Sequence, residues 1–155
     1  MTECKPVGTP LDPHTVLSKD MGPVNDTETK EMRRIPYLAA VGSLMYLATT
    51  TRPDISYAVG VLARFNSNPG PEHWTAVKHL QRYLKGTLDY KLVYGPNDDN
   101  GEFLQHTLTL ITGNKDDGNS TGNFVTHIRG EAIGWRSCLQ PMVTINHRSA
   151  VRCSS

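Results

Sequence analysis

Thirteen consecutive residues, Tyr37 to Thr49, carry no charged side chain in a chain of which 20% is charged. A run this apolar has to cover most of its surface with other protein. Set out at about 100° per residue, Tyr37, Val41, Leu44 and Ala48 fall on one face, with Met45 and Leu47 flanking it. The pattern predicts a helix over 37–49, buried on most sides. Gly42 and Ser43 lie within it, where small side chains would let a neighbouring helix come close.

Two further helices follow from the same kind of argument. Thr51-Arg52-Pro53-Asp54 has the composition of a helix start. The threonine can cap free N–H groups, proline is tolerated in a first turn, and the aspartate favours the helix dipole. This helix should run to about Phe65 and bury Ile55, Val59 and Leu62. Asn66 to Pro71 is a cluster of breakers, after which Pro71-Glu72 opens a third helix. Over His73 to Lys85, Ala76, Val77, Leu80, Tyr83 and Leu84 occupy one arc, and Lys78, Arg82 and Lys85 the opposite one. Gly86 stands where a left-handed C-terminal cap is expected. Three helices with short breaks make a small bundle.

The flanks differ. Residues 1–35 hold Pro6, Pro10, Pro13 and Pro23 and almost no apolar periodicity. They are expected to be extended or irregular, either a disordered tail or a strap across another domain. After Gly86 the period switches to two. Tyr90 to Tyr94 alternates and stops at Gly95-Pro96, and a polar loop containing Asp98-Asp99 follows. Thr107 to Thr112 is β-branched and apolar, while Asn123–Ile128 and Glu131–Arg136 flank Arg129-Gly130 as a hairpin. The expected fold class is α+β, with an extended strap over 1–35, a three-helix bundle over 36–89, and a partial β-sheet with an irregular tail over 90–155. The sheet's edges should be exposed and its stability poor.

Several function classes find no support. Cys4, Cys138 and Cys153 are too few and too scattered for a disulfide framework and lack the spacing of a zinc site. No apolar run follows Met1 and none is long enough to span a bilayer, so a soluble, intracellular chain is expected. There is no GxSxG, P-loop or GxGxxG, and the six histidines show no HExxH spacing. Asp116-Asp117 sits in a loop that suggests calcium binding, but counting back from Gly118 places Lys115 and Gly113 where oxygen ligands belong, so a solvated turn fits better. No metal site, catalytic residue or small-molecule substrate is expected.

Charge points elsewhere. The net charge is +1, yet residues 36–91 hold six basic and three acidic side chains. Lys78, Arg82 and Lys85, with His79 beside them, form a cationic stripe that could contact phosphates or could be an ordinary solvated helix face.

Many segments of residues 1–94 resemble, in order and spacing, the C-terminal part of the reverse transcriptase in copia-type retrotransposon Pol polyproteins. They include Glu3-Cys4-Lys5-Pro6-Val7, Thr9-Pro10-Leu11-Asp12, Val41-Gly42-Ser43-Leu44-Met45-Tyr46-Leu47-Ala48, Thr51-Arg52-Pro53-Asp54-Ile55, Glu72-His73-Trp74 and Arg82-Tyr83-Leu84-Lys85-Gly86-Thr87. The resemblance implies that the bundle is thumb-like and packs beside an RNA–DNA hybrid, with the polymerase palm upstream as its partner. The polymerase aspartates would lie before Met1. From about residue 107 a weaker likeness to the first strands of RNase H runs through Ser120-Thr121-Gly122, Phe124-Val125, Ala132-Ile133-Gly134-Trp135-Arg136-Ser137 and Leu139-Gln140-Pro141. RNase H holds two metal ions on carboxylates. Thr107 to Ile111 offers none, and Asn146 to Arg152 stands where the family's glutamate is expected. The resemblance therefore implies Mg2+ only for the intact family enzyme and none for this chain. It leaves three readings: a non-catalytic remnant that contacts nucleic acid, a helical protein-interaction module using 37–49, and a relic with no retained activity.

Overall fold

The structure, a computed structural model, describes residues 4–95, 104–111, 116 and 118–140. Among the described residues four α-helices are followed by an antiparallel three-stranded sheet, an α+β architecture. The helices are α1 (Asp26–Arg34), α2 (Tyr37–Thr50), α3 (Ser56–Ala63) and α4 (Pro71–Gly86), and the strands are β1 (Leu104–Ile111), β2 (Thr121–Ile128) and β3 (Glu131–Leu139).

The core lies among α2, α3 and α4. Tyr37, Val41, Leu44 and Ala48 face inward from α2, and Ile55, Val59 and Leu62 are fully buried, as the periodicity requires. Val77, Leu80 and Tyr83 complete the cluster from α4. Truncating a residue buried as completely as Leu62 to alanine typically costs about 2–5 kcal/mol. Tyr37 also donates its hydroxyl to the Leu62 carbonyl at 2.9 Å, tying α2 to α3.

Several expectations are corrected. Residues 1–35 are not irregular throughout, because Asp26–Arg34 forms a helix with Asp26 and Glu28 in its first turn and Arg33 and Arg34 in its last. The Glu28 carboxylate accepts the Val24 N–H at 3.0 Å, and this distribution of charge opposes the helix dipole at both ends. The helix precedes the bundle and contributes no residue to its core cluster. Residues 53–55 form a 3-10 turn before α3, with Arg52 rather than Thr51 at the N-cap position and no side-chain cap. The helix at 37–50 is buried on one face only: Leu38 is 65% and Tyr46 69% exposed. Among the described residues no neighbour lies within 4 Å of where a Gly42 Cβ would be, so none of their helices uses that small residue to approach.

Gly86 is the last residue of α4 rather than a left-handed cap. The chain leaves the helix at Thr87 with φ −128°, and the Thr87 hydroxyl donates back to the Tyr83 carbonyl at 3.0 Å. Tyr90 to Tyr94 forms no strand. Alternation needs a partner strand to become a ladder, and here Tyr94 instead sends its hydroxyl to the Ala132 carbonyl at 2.8 Å.

The hairpin is close to expectation, running from Thr121 to Leu139 with Arg129 (φ 50°) and Gly130 (φ 81°) at its turn. Two successive positive φ values match the twist of a tight hairpin, and glycine accepts one of them without a Cβ clash. The β1 strand begins at Leu104, earlier than Thr107, and pairs with β2. The sheet leans on the helices through β3. The Trp135 indole donates to the Ala48 carbonyl at 2.6 Å, and Arg64 donates to the Thr121 hydroxyl at 2.8 Å. The Asp98-Asp99 loop, Asp117 and residues 141–155 lie outside the described residues.

Candidate nucleic-acid interface

The four candidate residues sit together on the face of α4 that points away from the core, as period 3.6 dictates. Lys78 is exposed, and His79, Arg82 and Lys85 are partly covered. What covers them is the strap. Arg82 donates from Nε to the Lys5 carbonyl at 2.8 Å, and Lys85 donates from Nζ to the Cys4 carbonyl at 2.9 Å. His79 Nε2 lies 2.9 Å from the Thr9 carbonyl, which can only accept, so that nitrogen carries the proton.

Local sequence explains why the strap presents these carbonyls. Lys5 and Thr9 each precede a proline, which disfavours helical backbone at both positions. Their carbonyls are therefore not consumed in secondary structure. The chain is held down by Val7 and Leu11, which pack against the core cluster. It runs close to the end of α4, where a Cβ on Gly86 would come within 2.8 Å of the Pro6 Cβ.

Electrostatically these contacts matter because the acceptors are neutral. A carbonyl oxygen orients a guanidinium or ammonium group without cancelling its charge. Lys5 itself is exposed on the strap. A groove of about 780 Å3 runs along it, with Cys4, Lys78, Arg82, Lys85, Leu84 and Leu88 among its lining. Such an arrangement can hold an anion, most strongly by charge-assisted hydrogen bonds. Among the described residues no group of three or more His, Cys, Asp or Glu could hold a metal ion. No helix among them is long and apolar enough to cross a membrane.

Two other polar clusters were not anticipated. Arg52 grips Asp54, the Thr87 carbonyl (3.1 Å) and the Thr87 hydroxyl (2.6 Å), with the Tyr83 and Tyr90 rings 5.8 and 5.6 Å from its guanidinium carbon. His73 is fully buried, stacked on Phe65 at 4.0 Å. Its Nδ1 accepts the Gly70 N–H at 2.8 Å, so its Nε2 proton points to the Ser18 carbonyl at 3.1 Å. Burial lowers its pKa below the ordinary value, against the pull of the Ser18 carbonyl, Asp116 and Glu72. Asp116, expected in a solvated turn, accepts the Lys19 N–H. Sequence signals existed only in part: Arg52-Pro53-Asp54 places opposite charges across a rigid residue, but nothing local marks His73 as buried.

The fold is that of an α+β polypeptide with a cationic face on α4, and comparison with known proteins shows what it is similar to. A retrovirus-related Pol polyprotein from transposon TNT 1-94 of Nicotiana tabacum is 43% identical over 97% of this chain and 11% of its own length. The corresponding protein from transposon RE1 of Arabidopsis thaliana is 38% identical over the whole chain and 10% of its own length. A shorter relative, secreted RxLR effector protein 161 of Plasmopara viticola, is 36% identical over 74% of this chain and 80% of its own length. The chain is thus similar, over nearly all of its length, to a segment of copia-type retrovirus-related Pol polyproteins of transposons, which supports its being a retrotransposon Pol fragment. It spans about a tenth of the length of the polyproteins it matches. No protein-family profile matches it, and no solved structure does.

Proposed function

We propose that this chain is the thumb-like end of a copia-type reverse transcriptase running into the first strands of an RNase H-like sheet. In this reading it contacts an RNA–DNA hybrid inside the cell and is not catalytic by itself. The observation that carries it is the cationic face: Lys78, Arg82 and Lys85 lie along one side of α4, where Arg82 and Lys85 donate to the neutral backbone carbonyls of Lys5 and Cys4. Phosphates reward such a face with sequence-independent, salt-sensitive affinity. The helices α2 to α4 are the thumb-like part, the strands β1 to β3 the RNase H-like part, and the polymerase palm of the parent polyprotein the neighbour. Residues 107–111 bring no carboxylate to β1, so a pair of magnesium ions has no anchor there, and no cofactor is assigned to the chain.

Hybrid binding followed by fluorescence anisotropy across a salt series tests this. Replacing Lys78, Arg82 and Lys85 with Ala should flatten the slope of log affinity against log salt by roughly 2 or more, since each lost phosphate contact removes about 0.9. An unchanged slope would remove the assignment of this face.

A second reading has its own observation. Leu38 and Tyr46 lie on the outer side of α2, 65% and 69% exposed, as expected of a helix that docks on another protein. Self-association or partner binding indifferent to salt, and lost on Leu38→Glu, would favour that module over the nucleic-acid reading.

A further inference from the structure

The strap and the phosphates of the proposed ligand need the same donors. Arg82 Nε, Lys85 Nζ and His79 Nε2 each end on a strap carbonyl, those of Lys5, Cys4 and Thr9. All three contacts are solvent-exposed, so water or an anion can replace the carbonyl without leaving a buried group unsatisfied. A phosphate oxygen carries formal charge and outcompetes a neutral carbonyl for a guanidinium or ammonium proton.

We propose that residues 4–9 are a displaceable cover over the cationic face of α4, occupying with backbone carbonyls the positions that anionic oxygens take when a polyanion binds. This deepens the nucleic-acid reading above and rests on it. Within residues 4–9 the strap's hold on the core is the partly buried Val7, which must come away when the cover lifts. Pro6 and Pro10 have no N–H to add to the contact, and Gly8 has nothing within 4 Å of where its Cβ would be. The firmer anchorage lies further along, where Leu17 is buried in the core cluster and the Ser18 carbonyl faces buried His73. The first residues can therefore lift without unfolding the bundle. Because wild-type protein must break the strap contacts before those donors reach phosphate, part of the intrinsic affinity is spent on release.

Two variants test the cover. The first deletes residues 1–9. The second is Gly86→Ala, which keeps the full chain: its new Cβ would meet the Pro6 Cβ at 2.8 Å, forcing the strap to shift, while alanine is well suited to the end of α4. Both are compared with wild type for binding to an RNA–DNA hybrid at fixed salt, with thermal melts confirming that each is folded. The cover predicts tighter binding by both, about tenfold for the deletion, equivalent to about 1.4 kcal/mol, and a smaller gain for Gly86→Ala. Weaker binding by the folded deletion variant would mean that the strap adds to the site, through Lys5, and would overturn the cover. Equal affinity in wild type and Gly86→Ala, with the deletion also unchanged, would overturn it as well. Absence of salt-dependent hybrid binding in all three proteins is a different result, which removes the nucleic-acid reading itself and the cover with it.

Discussion

Arg52 and Asp54, separated only by Pro53, form a two-pronged ion pair: Nε to Oδ1 at 2.9 Å and Nη2 to Oδ2 at 2.7 Å. The side chains are 10% and 29% exposed, so solvent screens the pair only in part. The same guanidinium reaches Thr87 past the end of α4, and the Tyr83 hydroxyl donates to Asp54 Oδ2 at 2.9 Å. One cluster therefore fixes the start of α3 against the end of α4. The geometry is a fork meeting a carboxylate, which lysine could not reproduce.

Asp54→Asn should lower stability by about 2 kcal/mol, the range for charge-assisted hydrogen bonds, read as a shift of the urea midpoint. Burial by itself would raise the Asp54 carboxyl, but hydrogen bonds from Arg52 and Tyr83 outweigh it and hold the group below its ordinary 3.8. A depressed carboxylate contributes stability that is present in full above 3.8 and is lost as pH falls through the lower folded value. The acid limb of the stability curve should therefore be shallower in the variant. Parallel acid limbs for the two proteins would show that the pair contributes nothing to it.

His73 gives a second pH dependence with its own window. Its folded value lies below the ordinary 6.5 because burial disfavours the charged ring. Above 6.5 the folded and unfolded chains both hold it neutral, and its contribution is complete. As pH falls from 6.5 through the folded value, the unfolded chain takes the proton first and stability declines. A proton on Nδ1 would also remove the acceptor of the Gly70 N–H. His73→Gln should be less stable at neutral pH yet lose less on going from pH 7 to pH 5. An identical loss in both proteins would assign the titration to other groups.

How much of this was legible in the sequence depends on whether side chains or backbone make the contact. Tyr37, Val41, Leu44 and Ala48 announced the inner face of α2 because burial selects apolar residues at helical spacing, and none is more than 4% exposed. The outer face misled for the same reason: Leu38 and Tyr46 are apolar without being buried. Helix α1 has charge-ordered ends but only Met32 buried, so a reading based on apolar period passed over it. The cationic stripe on α4 was plain, whereas its cover was not, since carbonyl acceptors leave no mark in a sequence beyond the prolines that follow Lys5 and Thr9. Tyr90 to Tyr94 had the right alternation but, among the described residues, no strand paired with it.

The docking of the sheet on the helices turns on Trp135. Its indole N–H, 2.6 Å from the Ala48 carbonyl, satisfies one of the acceptors that the end of α2 leaves without a helical partner. Trp135→Phe keeps an aromatic ring at the junction and removes that donor. It should cost about 1 kcal/mol, or roughly 2–4 °C in Tm for a chain of this size. Hydrogen exchange should quicken in β2 and β3 more than in α2 to α4. An unaltered melting temperature would mean that this hydrogen bond does not hold the two parts together.

Two glycines should respond to the same substitution with opposite sign. Gly70 precedes α4 with φ −99° and ψ 176°, a backbone open to any residue, so its requirement is purely one of space. A Cβ there would stand 1.8 Å from the Met21 carbonyl oxygen and 3.2 Å from the Gly22 Cα, and backbone cannot swing aside as a side chain can. Gly70→Ala must push the turn at 19–21 away from α4 and disturb the Ser18–His73 contact beside it. The expected loss is about 3 kcal/mol, at the upper end for overpacking. Gly42, inside α2 with nothing within 4 Å, carries only the entropic penalty of a helical glycine, and Gly42→Ala should gain about 0.5–1 kcal/mol. Urea midpoints of the two single variants decide the matter. A loss at Gly42 would reveal a neighbour packed against that face in solution, and a neutral result at Gly70 would show that the turn at 19–21 does not rest on the start of α4.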